Sequence, residues 1–158
     1  MTLDRTDLLI LDALQREGRL SNQDLARRVN LSPSPCLRRV RALERAGVIR
    51  QYVALLDPRK VGVGLSAYVT VKLEKNGKMP IDQFTRAVLA WPEVVACYSM
   101  TGDMDYLMRV QVTDLEHYSR FVMGKLLKQP GVLDVKSNFV LEYVKDTTAV
   151  PLLSPPAR

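Results

Sequence analysis

The sequence predicts an α+β protein in which an N-terminal three-helix, winged-type helix-turn-helix domain is joined by a strand and hinge to a C-terminal βαββαβ ferredoxin-like domain. Three observations predict this fold. Apolar residues recur at helical spacing in three short segments before Gly47. After Gly64, segments with strand and helix patterns alternate. The first 60 residues carry 12 Lys and Arg against 7 Asp and Glu, whereas the remainder carries 11 against 10.

Composition narrows the class of protein. A chain of 158 residues with 47% hydrophobic and 25% charged residues is long enough for two small folded domains. It contains no apolar run of roughly 18 residues and begins without a secretion signal, so we expect a cytoplasmic protein. Cys36 and Cys97 lie too far apart for a metal-binding spacing. A basic N-terminal part beside a nearly neutral remainder favours a nucleic-acid partner.

The first two helices are predicted from apolar stripes and end signals. The first spans about residues 4–17 and ends before Gly18. The second begins at Ser21, a good N-cap, and ends at a break over residues 30–31. The side chains expected to face inward are Ile10, Leu11, Leu14, Leu25, Ala26 and Val29.

The third helix has the sharpest signals. Ser32 is predicted to cap it, Pro33 and Pro35 fall in its first turn, and Gly47 ends it. At about 100° per residue, one side is apolar and the opposite side is polar and basic. The apolar side holds Cys36, Val40 and Leu43, and the opposite side holds Ser34, Arg38, Arg41 and Arg45, with Arg39 on the flank.

This basic helix predicts binding in the major groove of DNA. Residues 27–50 contain seven Arg and one acid, Glu44, whereas a merely solvated face would mix both signs. Arginine reaches guanine edges or phosphates, and residues near the start of a recognition helix reach bases. We therefore assign Ser34 and Arg38 to bases, with Leu37 on a thymine methyl group. The residues assigned mainly to phosphates are Arg41, Arg45, Arg27 and Arg28, with Arg39 as a flanking contact.

The rest of the chain predicts a hinge and two βαβ units. We expect a linker strand and hinge over residues 51–64, a ferredoxin-like domain over 65–146 and a tail over 147–158, with the helix-turn-helix domain in 1–50. Ala67, Val69, Val71 and Leu73 alternate with polar positions, which is typical of a half-buried strand. The elements expected in order are strand 48–56, strand 66–73, helix 81–90, strands 94–100 and 106–112, helix 115–127 and strand 132–144.

This order places both helices on one face of the sheet and leaves the other face uncovered. Such a face needs a partner, so we expect dimerisation through this domain. A two-fold dimer also suits a palindromic DNA site.

The stretch from Thr101 to Tyr106 combines turn residues with carboxylates. One interpretation is a plain hairpin turn, since Gly and Asp are standard turn residues. The other is a small-ligand site in which Gly102 and Asp103 offer backbone groups to a carboxylate, while Asp103 or Asp105 holds an ammonium group. The residues of the stretch are Thr101, Gly102, Asp103, Met104, Asp105 and Tyr106.

Short sequence fragments occur in a fixed order along both halves of the chain. In the first half they are Leu3, Asp4, Asp7, Ile10, Leu11, Leu14, Gly18–Ser21, Leu25, Ala26, Leu31, Ser32, Cys36–Val40, Leu43, Glu44, Gly47–Ile49 and Tyr52. In the second half they are Pro92–Val94, Thr101–Asp103, Asp105–Leu107 and Pro130–Val132. With these fragments in this order and spacing, the chain resembles the Lrp/AsnC family of transcription regulators from Leu3 to about Leu153. The resemblance implies a cytoplasmic regulator that assembles as dimers, often octamers, and whose binding to double-stranded DNA responds to an amino acid.

The resemblance also implies where the effector lies. In the family, the segment matching residues 101–106 lies beside an effector site between dimers. Leu115 and the strand around Ser137, Asn138 and Phe139 are implied to contribute to the pocket. Apolar neighbours such as Met104 and Phe139 favour leucine, methionine or a similar effector.

Other functions remain open at this stage. One is an architectural DNA protein without an effector, and another is an enzyme resembling the sirohaem decarboxylases, which share this two-domain outline. We expect no catalytic residues, no metal and no cofactor. His117 is the only histidine, the pair Asp103 and Asp105 is a poor Mg²⁺ site, and a redox role for Cys36 or Cys97 is a minor alternative.

Overall fold

The computed structural model describes residues 2–74 and 79–152. Residues up to Leu55 together with those from Lys145 onward form one compact unit, and Leu56–Val144 forms a second. None of the helices within the described ranges is both long and apolar enough to cross a membrane.

The first unit contains three helices, which span Arg5–Arg16 (α1), Asn22–Arg28 (α2) and Pro33–Arg45 (α3). Helix α1 begins with a capping box, because Asp4 Oδ1 accepts from the Asp7 backbone N–H at 2.8 Å and Asp7 Oδ2 accepts from the Asp4 N–H at 3.1 Å. Ser21 caps α2 as predicted, accepting from the Asp24 N–H at 3.1 Å. The shared core is formed by Ile10, Ala13, Leu25, Ala26, Val29, Cys36 and Leu43.

The start of α3 differs from the prediction in one respect. Ser32 occupies the N-cap position, but its side chain makes no capping hydrogen bond. A capping side chain accepts from the second or third helical N–H, and Pro35 at the third position has none. Fixed proline geometry therefore sets this helix start. The predicted end is confirmed, with Gly47 in the left-handed conformation at φ +70°.

The strand predicted over residues 48–56 is not formed, and this prediction was wrong. A β-strand requires a neighbouring strand to complete its hydrogen bonds. None of the strands in the described ranges pairs with this segment, which has no regular secondary structure and is largely exposed. It is anchored at Tyr52, whose hydroxyl donates to Glu44 Oε1 of α3 at 3.1 Å.

The second unit has the predicted ferredoxin-like order. Its elements are Leu65–Leu73 (β1), Met79–Ala90 (α4), Val94–Ser99 (β2), Tyr106–Val112 (β3), Leu115–Gly124 (α5) and Val132–Phe139 (β4). The strands form one antiparallel sheet in the order β2-β3-β1-β4. Strand β2, which follows α4, pairs with β3 of the second βαβ unit, and β4, which follows α5, pairs with β1 of the first unit. This is the arrangement of a split βαβ fold.

Strand β1 shows the predicted alternation. Ala67, Val69, Val71 and Leu73 are buried under Phe84 of α4 and Phe121 of α5, together with Met108 and Val110 of β3. The intervening positions, including Tyr68, lie on the face opposite to the helices. One face of the sheet is thus covered by helices of its own unit and the other is not.

Two element ends were predicted too far along the chain. Strand β4 ends at Phe139 and not at residue 144, because its partner β1 begins at Leu65 and the Val140 N–H makes the last bond, to the Ser66 carbonyl at 2.9 Å. Helix α5 ends at Gly124, and a short 3-10 turn over Leu126–Lys128 completes the predicted segment.

Candidate nucleic-acid interface and ligand site

The basic face of α3 lies on the surface of the first unit. Ser34, Arg38, Arg41 and Arg45 are exposed, whereas Cys36 and Leu43 on the other side are fully buried. Across the described part of the chain, none of the guanidinium groups of Arg38, Arg41 and Arg45 forms an ion pair with a carboxylate. The three positive charges are therefore left uncompensated on one helical surface.

Two further arginines predicted to touch phosphates already have acidic neighbours. Arg27 pairs with Asp24 within α2, and Arg28 Nη2 lies 3.0 Å from Glu17 Oε2. Both pairs are solvent-exposed, and exposed pairs contribute only about 0–1 kcal/mol. Either arginine can exchange its carboxylate for a phosphate at low cost.

Arg39 differs from its neighbours on α3. Its Nη1 donates to Asp4 Oδ2 at 2.7 Å and to Asp7 Oδ1 at 2.8 Å. Asp7 is only 4% exposed. The backbone N–H of Asp7, with the Arg39 guanidinium, lowers the pKa of Asp4 despite the opposing effect of burial. The sequence missed these contacts because the partners are more than 30 residues apart.

Leu37, predicted to meet a thymine methyl group, is 36% exposed. It also lines a small apolar depression of about 190 Å³ in the first unit. Its neighbours there are Leu14, Gly18, Leu20, Asn22, Leu25, Val40 and Tyr52.

Residues 101–106 form the turn between β2 and β3. Thr101, Gly102 and Asp103 are exposed, and Gly102 has φ +112°, a conformation that side chains disfavour. The turn closes through the Met100 N–H, which donates to the Asp105 carbonyl at 2.9 Å. The hairpin interpretation therefore describes the backbone correctly, and it leaves the exposed groups of Asp103 available to a ligand.

The two carboxylates of this turn have different surroundings. Asp105 Oδ2 accepts from the Leu73 backbone N–H at 2.7 Å, and the Asp105 N–H donates to the Val71 carbonyl at 3.0 Å. Asp105 thus joins the ends of β1 and β3, whereas Asp103 is exposed. A depression of about 140 Å³ adjoins the turn, lined by Leu73, Glu74, Ile81, Ser99, Met100, Asp105 and Tyr106.

The other predicted ligand residues form a second group. The Tyr118 hydroxyl donates to Ser137 Oγ at 2.5 Å, and its ring packs edge-on against Phe139 with centroids 5.0 Å apart. Phe139 and Leu115 are exposed. Asn138 pairs with Tyr68 of the neighbouring strand β1. Tyr118 was missed, although an aromatic residue three positions after Leu115 on a predicted helix was a usable signal.

Within this chain the two groups do not come together. Tyr106 pairs with Val71 of β1, whereas Phe139 pairs with Ala67, four positions along the strand and on its other side. Four residues of strand span about 13 Å at roughly 3.3 Å per residue. The turn and the Ser137–Phe139 group therefore lie towards opposite ends of the sheet.

A charged cluster lies away from both groups. Glu93 is 8% exposed, and its Oε1 accepts from Lys125 Nζ at 2.6 Å and lies 3.6 Å from His117 Nε2. Burial opposes ionisation of Glu93, but the hydrogen bond and charge of Lys125, the backbone N–H of Glu93 itself and the contact with His117 together lower the pKa of this carboxyl. The sequence placed His117 on the surface and gave no sign of this cluster.

Neither thiol has the surroundings of a reactive cysteine. Burial raises the pKa of Cys36 and of Cys97 above the usual thiol value. Because the thiolate is the reactive form, both side chains are disfavoured as redox sensors at neutral pH.

Comparison with family models gives a match for each unit. Residues 3–50 match the model described as winged helix-turn-helix DNA-binding. Residues 66–150 match the model described as the Lrp/AsnC ligand binding domain.

Similar proteins and structures extend over nearly the whole chain. The chain is 42% identical over 145 residues to the leucine-responsive regulatory proteins of Salmonella typhimurium and Escherichia coli, covering 92% of this chain and 88% of each of them. A transcriptional regulator from Neisseria meningitidis, solved as a complex with L-Met, is 49% identical with a TM-score of 0.92, covering 95% of this chain and 97% of its own. An AsnC family regulator from Agrobacterium tumefaciens is 41% identical with a TM-score of 0.89, covering 94% and 97%.

Proposed function

The chain belongs to the Lrp/AsnC family of transcription regulators, and we propose that it binds operator DNA through α3 and that an apolar amino acid adjusts this binding. The observation that carries the proposal is the uncompensated charge of Arg38, Arg41 and Arg45 on one exposed helical face. Within this proposal residues 1–50 bind DNA, 51–64 form the hinge and 65–146 bind the effector and a second subunit.

The α3 face suits the major groove. Arg38, in the second turn of the helix, reaches base edges together with Ser34, and a forked guanidinium matches guanine O6 and N7. Arg41 and Arg45, one and two turns later, hold phosphates. Arg27 and Arg28 add phosphate contacts by exchanging their exposed carboxylate partners.

The effector is proposed to be leucine, methionine or a residue of similar size. A 49% identical regulator has been solved with L-Met, and the ligand groups of this chain include the apolar side chains of Met104, Leu115 and Phe139. The exposed Asp103 carboxylate is suited to the ammonium group, and the backbone of the Gly102 turn to the carboxylate. Within one chain the two ligand groups lie towards opposite ends of the sheet. A second subunit is therefore needed to complete the pocket.

Assembly is proposed to use the uncovered face of the sheet. Tyr68 and Tyr98 are exposed there, and Arg109, which pairs with Tyr68 across β1 and β3, has a buried Nε without a hydrogen-bond partner. A second copy laid on this face would cover the tyrosines. The resulting two-fold dimer presents two α3 helices to successive major grooves, and dimers associate further into an octamer.

Two measurements on the full-length protein test the function. The first is binding to random-sequence duplex DNA at low salt, with affinity expected to fall steeply as salt rises. The second is a thermal-unfolding screen of all twenty amino acids, in which leucine, methionine or a similar residue is expected to raise Tm. Failure to bind duplex DNA would overturn the regulator assignment. DNA binding by a protein whose Tm no amino acid raises would favour an architectural protein.

A further inference from the structure

We infer that Arg39 is a positioning residue that fixes the recognition helix through Asp4 and Asp7, and that it does not contact DNA. This inference rests on the proposed function, since it concerns how α3 is held for binding. It also replaces the assignment of Arg39 to the DNA-contacting set.

The geometry ties two helices at particular points. One nitrogen, Nη1 of Arg39, donates to Asp4 Oδ2 at 2.7 Å and to Asp7 Oδ1 at 2.8 Å. These two carboxylates belong to the capping box that starts α1, so their positions are already fixed by backbone hydrogen bonds. The middle of α3 is therefore joined to the first turn of α1 by charge-assisted bonds, which are stronger than neutral ones.

Charge separates Arg39 from the DNA-facing arginines. The group formed by Arg39, Asp4 and Asp7 carries two negative charges against one positive charge, so it repels phosphate. Arg38 and Arg41, on either side in the sequence, have no carboxylate partner among the residues that the structure describes. A helix turns by about 100° per residue, so Arg39 is directed towards α1 whereas Arg38 and Arg41 face solvent.

This arrangement predicts which aspect of binding depends on Arg39. Base contacts require α3 to enter the groove at one angle, whereas phosphate contacts carry no sequence information and tolerate small shifts. Loosening the joint between α3 and α1 should therefore weaken binding to a preferred sequence more than binding to an unrelated one. The number of neutralised phosphates should not change.

The experiment uses full-length protein and two duplexes of equal length. One duplex is selected from a random-sequence library by the wild-type protein, and the other is a scrambled version of it. For Arg39→Met we expect about tenfold weaker binding to the selected duplex, a change below about twofold on the scrambled duplex, and an unaltered slope of log affinity against log salt. The matched control Arg41→Met should weaken both duplexes and flatten that slope by about 0.9.

Three more variants guard against a simple folding defect. Asp7→Asn removes one charge from the contact between α1 and α3 without replacing a residue of α3. It should reproduce the loss of preference for the selected duplex. Combining it with Arg39→Met should add less than about twofold, because both changes break the same contact. Arg39→Lys keeps one cationic donor and should recover part of the selected-duplex affinity with the wild-type salt slope.

Two results would overturn the inference. One is a salt slope for Arg39→Met that flattens as it does in Arg41→Met, which would make Arg39 a phosphate contact. The other is wild-type preference in a folded Asp7→Asn variant. Both outcomes leave the proposed function standing, whereas a wild-type protein that binds neither duplex would remove both together.

Discussion

The carboxylate of Asp105 accepts a hydrogen bond from the backbone N–H of Leu73 at 2.7 Å, although the two residues lie 32 positions apart in the chain. The contact joins the end of β1 to the start of β3 and fixes the base of the turn that carries Gly102 and Asp103. Asp103, two residues earlier, makes no such contact in the described structure. The two carboxylates of one short motif therefore have different surroundings.

Substituting these two aspartates should separate folding from ligand binding. Asp105→Ala leaves the Leu73 N–H without its acceptor and should lower the free energy of unfolding by about 1–3 kcal/mol in urea titrations. Asp103→Ala should change it by less than about 0.5 kcal/mol, as an exposed substitution does. Asp103→Ala should nevertheless abolish the rise in Tm caused by the amino-acid effector. A full ligand response in Asp103→Ala would contradict the role assigned to that carboxylate.

Because Arg38 and Arg45 lie at different positions along α3, replacing each should weaken DNA binding in a different way. Arg38→Ala should weaken binding to the preferred duplex by roughly 1–3 kcal/mol and reduce discrimination between bases. Arg45→Ala should weaken all duplexes alike and flatten the slope of log affinity against log salt by about 0.9. Fluorescence anisotropy at several salt concentrations measures both. Intact binding by Arg38→Ala would show that the helix enters the groove in another orientation.

The buried cluster at Glu93 predicts a dependence of stability on pH. The pKa of Glu93 is lowered in the folded protein from its ordinary value of 4.5. Ionised Glu93 therefore stabilises the fold above that value, and the stabilisation is lost as the pH falls through the folded-state pKa. Lys125→Met should cost about 1–3 kcal/mol at pH 7, and the deficit should shrink below pH 4.5.

The control for this cluster is Lys128→Met, an exposed lysine in the adjacent turn that makes no ion pair within the described ranges. Its unfolding free energy should follow that of the wild type at every pH. A Lys125→Met deficit that stays constant into acid would show that the lost stability comes from side-chain packing and not from ionised Glu93.

The uncovered sheet face predicts a specific effect on assembly. Arg109→Glu places a negative charge in the middle of the proposed subunit contact and should raise the dimer dissociation constant by at least about tenfold in sedimentation equilibrium. Arg86→Glu makes the same charge change on the exposed side of α4 and should leave assembly unaltered. Dimers that persist unchanged in Arg109→Glu would assign the contact to another surface.

Elements whose pattern is local could be predicted from the sequence. The alternation in β1 and the apolar stripe of α3 reflect burial on one side, so Val69 and Leu43 were assigned correctly. Helix caps whose bond reaches only three residues along the chain, such as that of Ser21 to Asp24, were also predictable. The ends of strands were not predictable in this way, because they depend on the partner strand. Phe139 is the last residue of β4 that pairs with a residue of β1.

Contacts between residues far apart in the sequence could not be predicted from the local pattern of residue types. Nothing local to Arg39 shows that Asp4 and Asp7 lie beside it, so the sequence alone does not distinguish Arg39 from the exposed arginines of α3. In the same way, residues 48–56 have the composition of a strand but lack a partner strand in the described chain. Strand propensity describes a residue, whereas a strand also requires a neighbour.

The separation of Tyr106 and Phe139 along β1 has a thermodynamic consequence. A ligand that needs both ends of the sheet is bound by associated subunits only, so association and ligand uptake are linked by mass action. Dilution should weaken the apparent affinity for the amino acid, and added amino acid should oppose dissociation on dilution. The regulator would then respond to its own cellular abundance as well as to the nutrient.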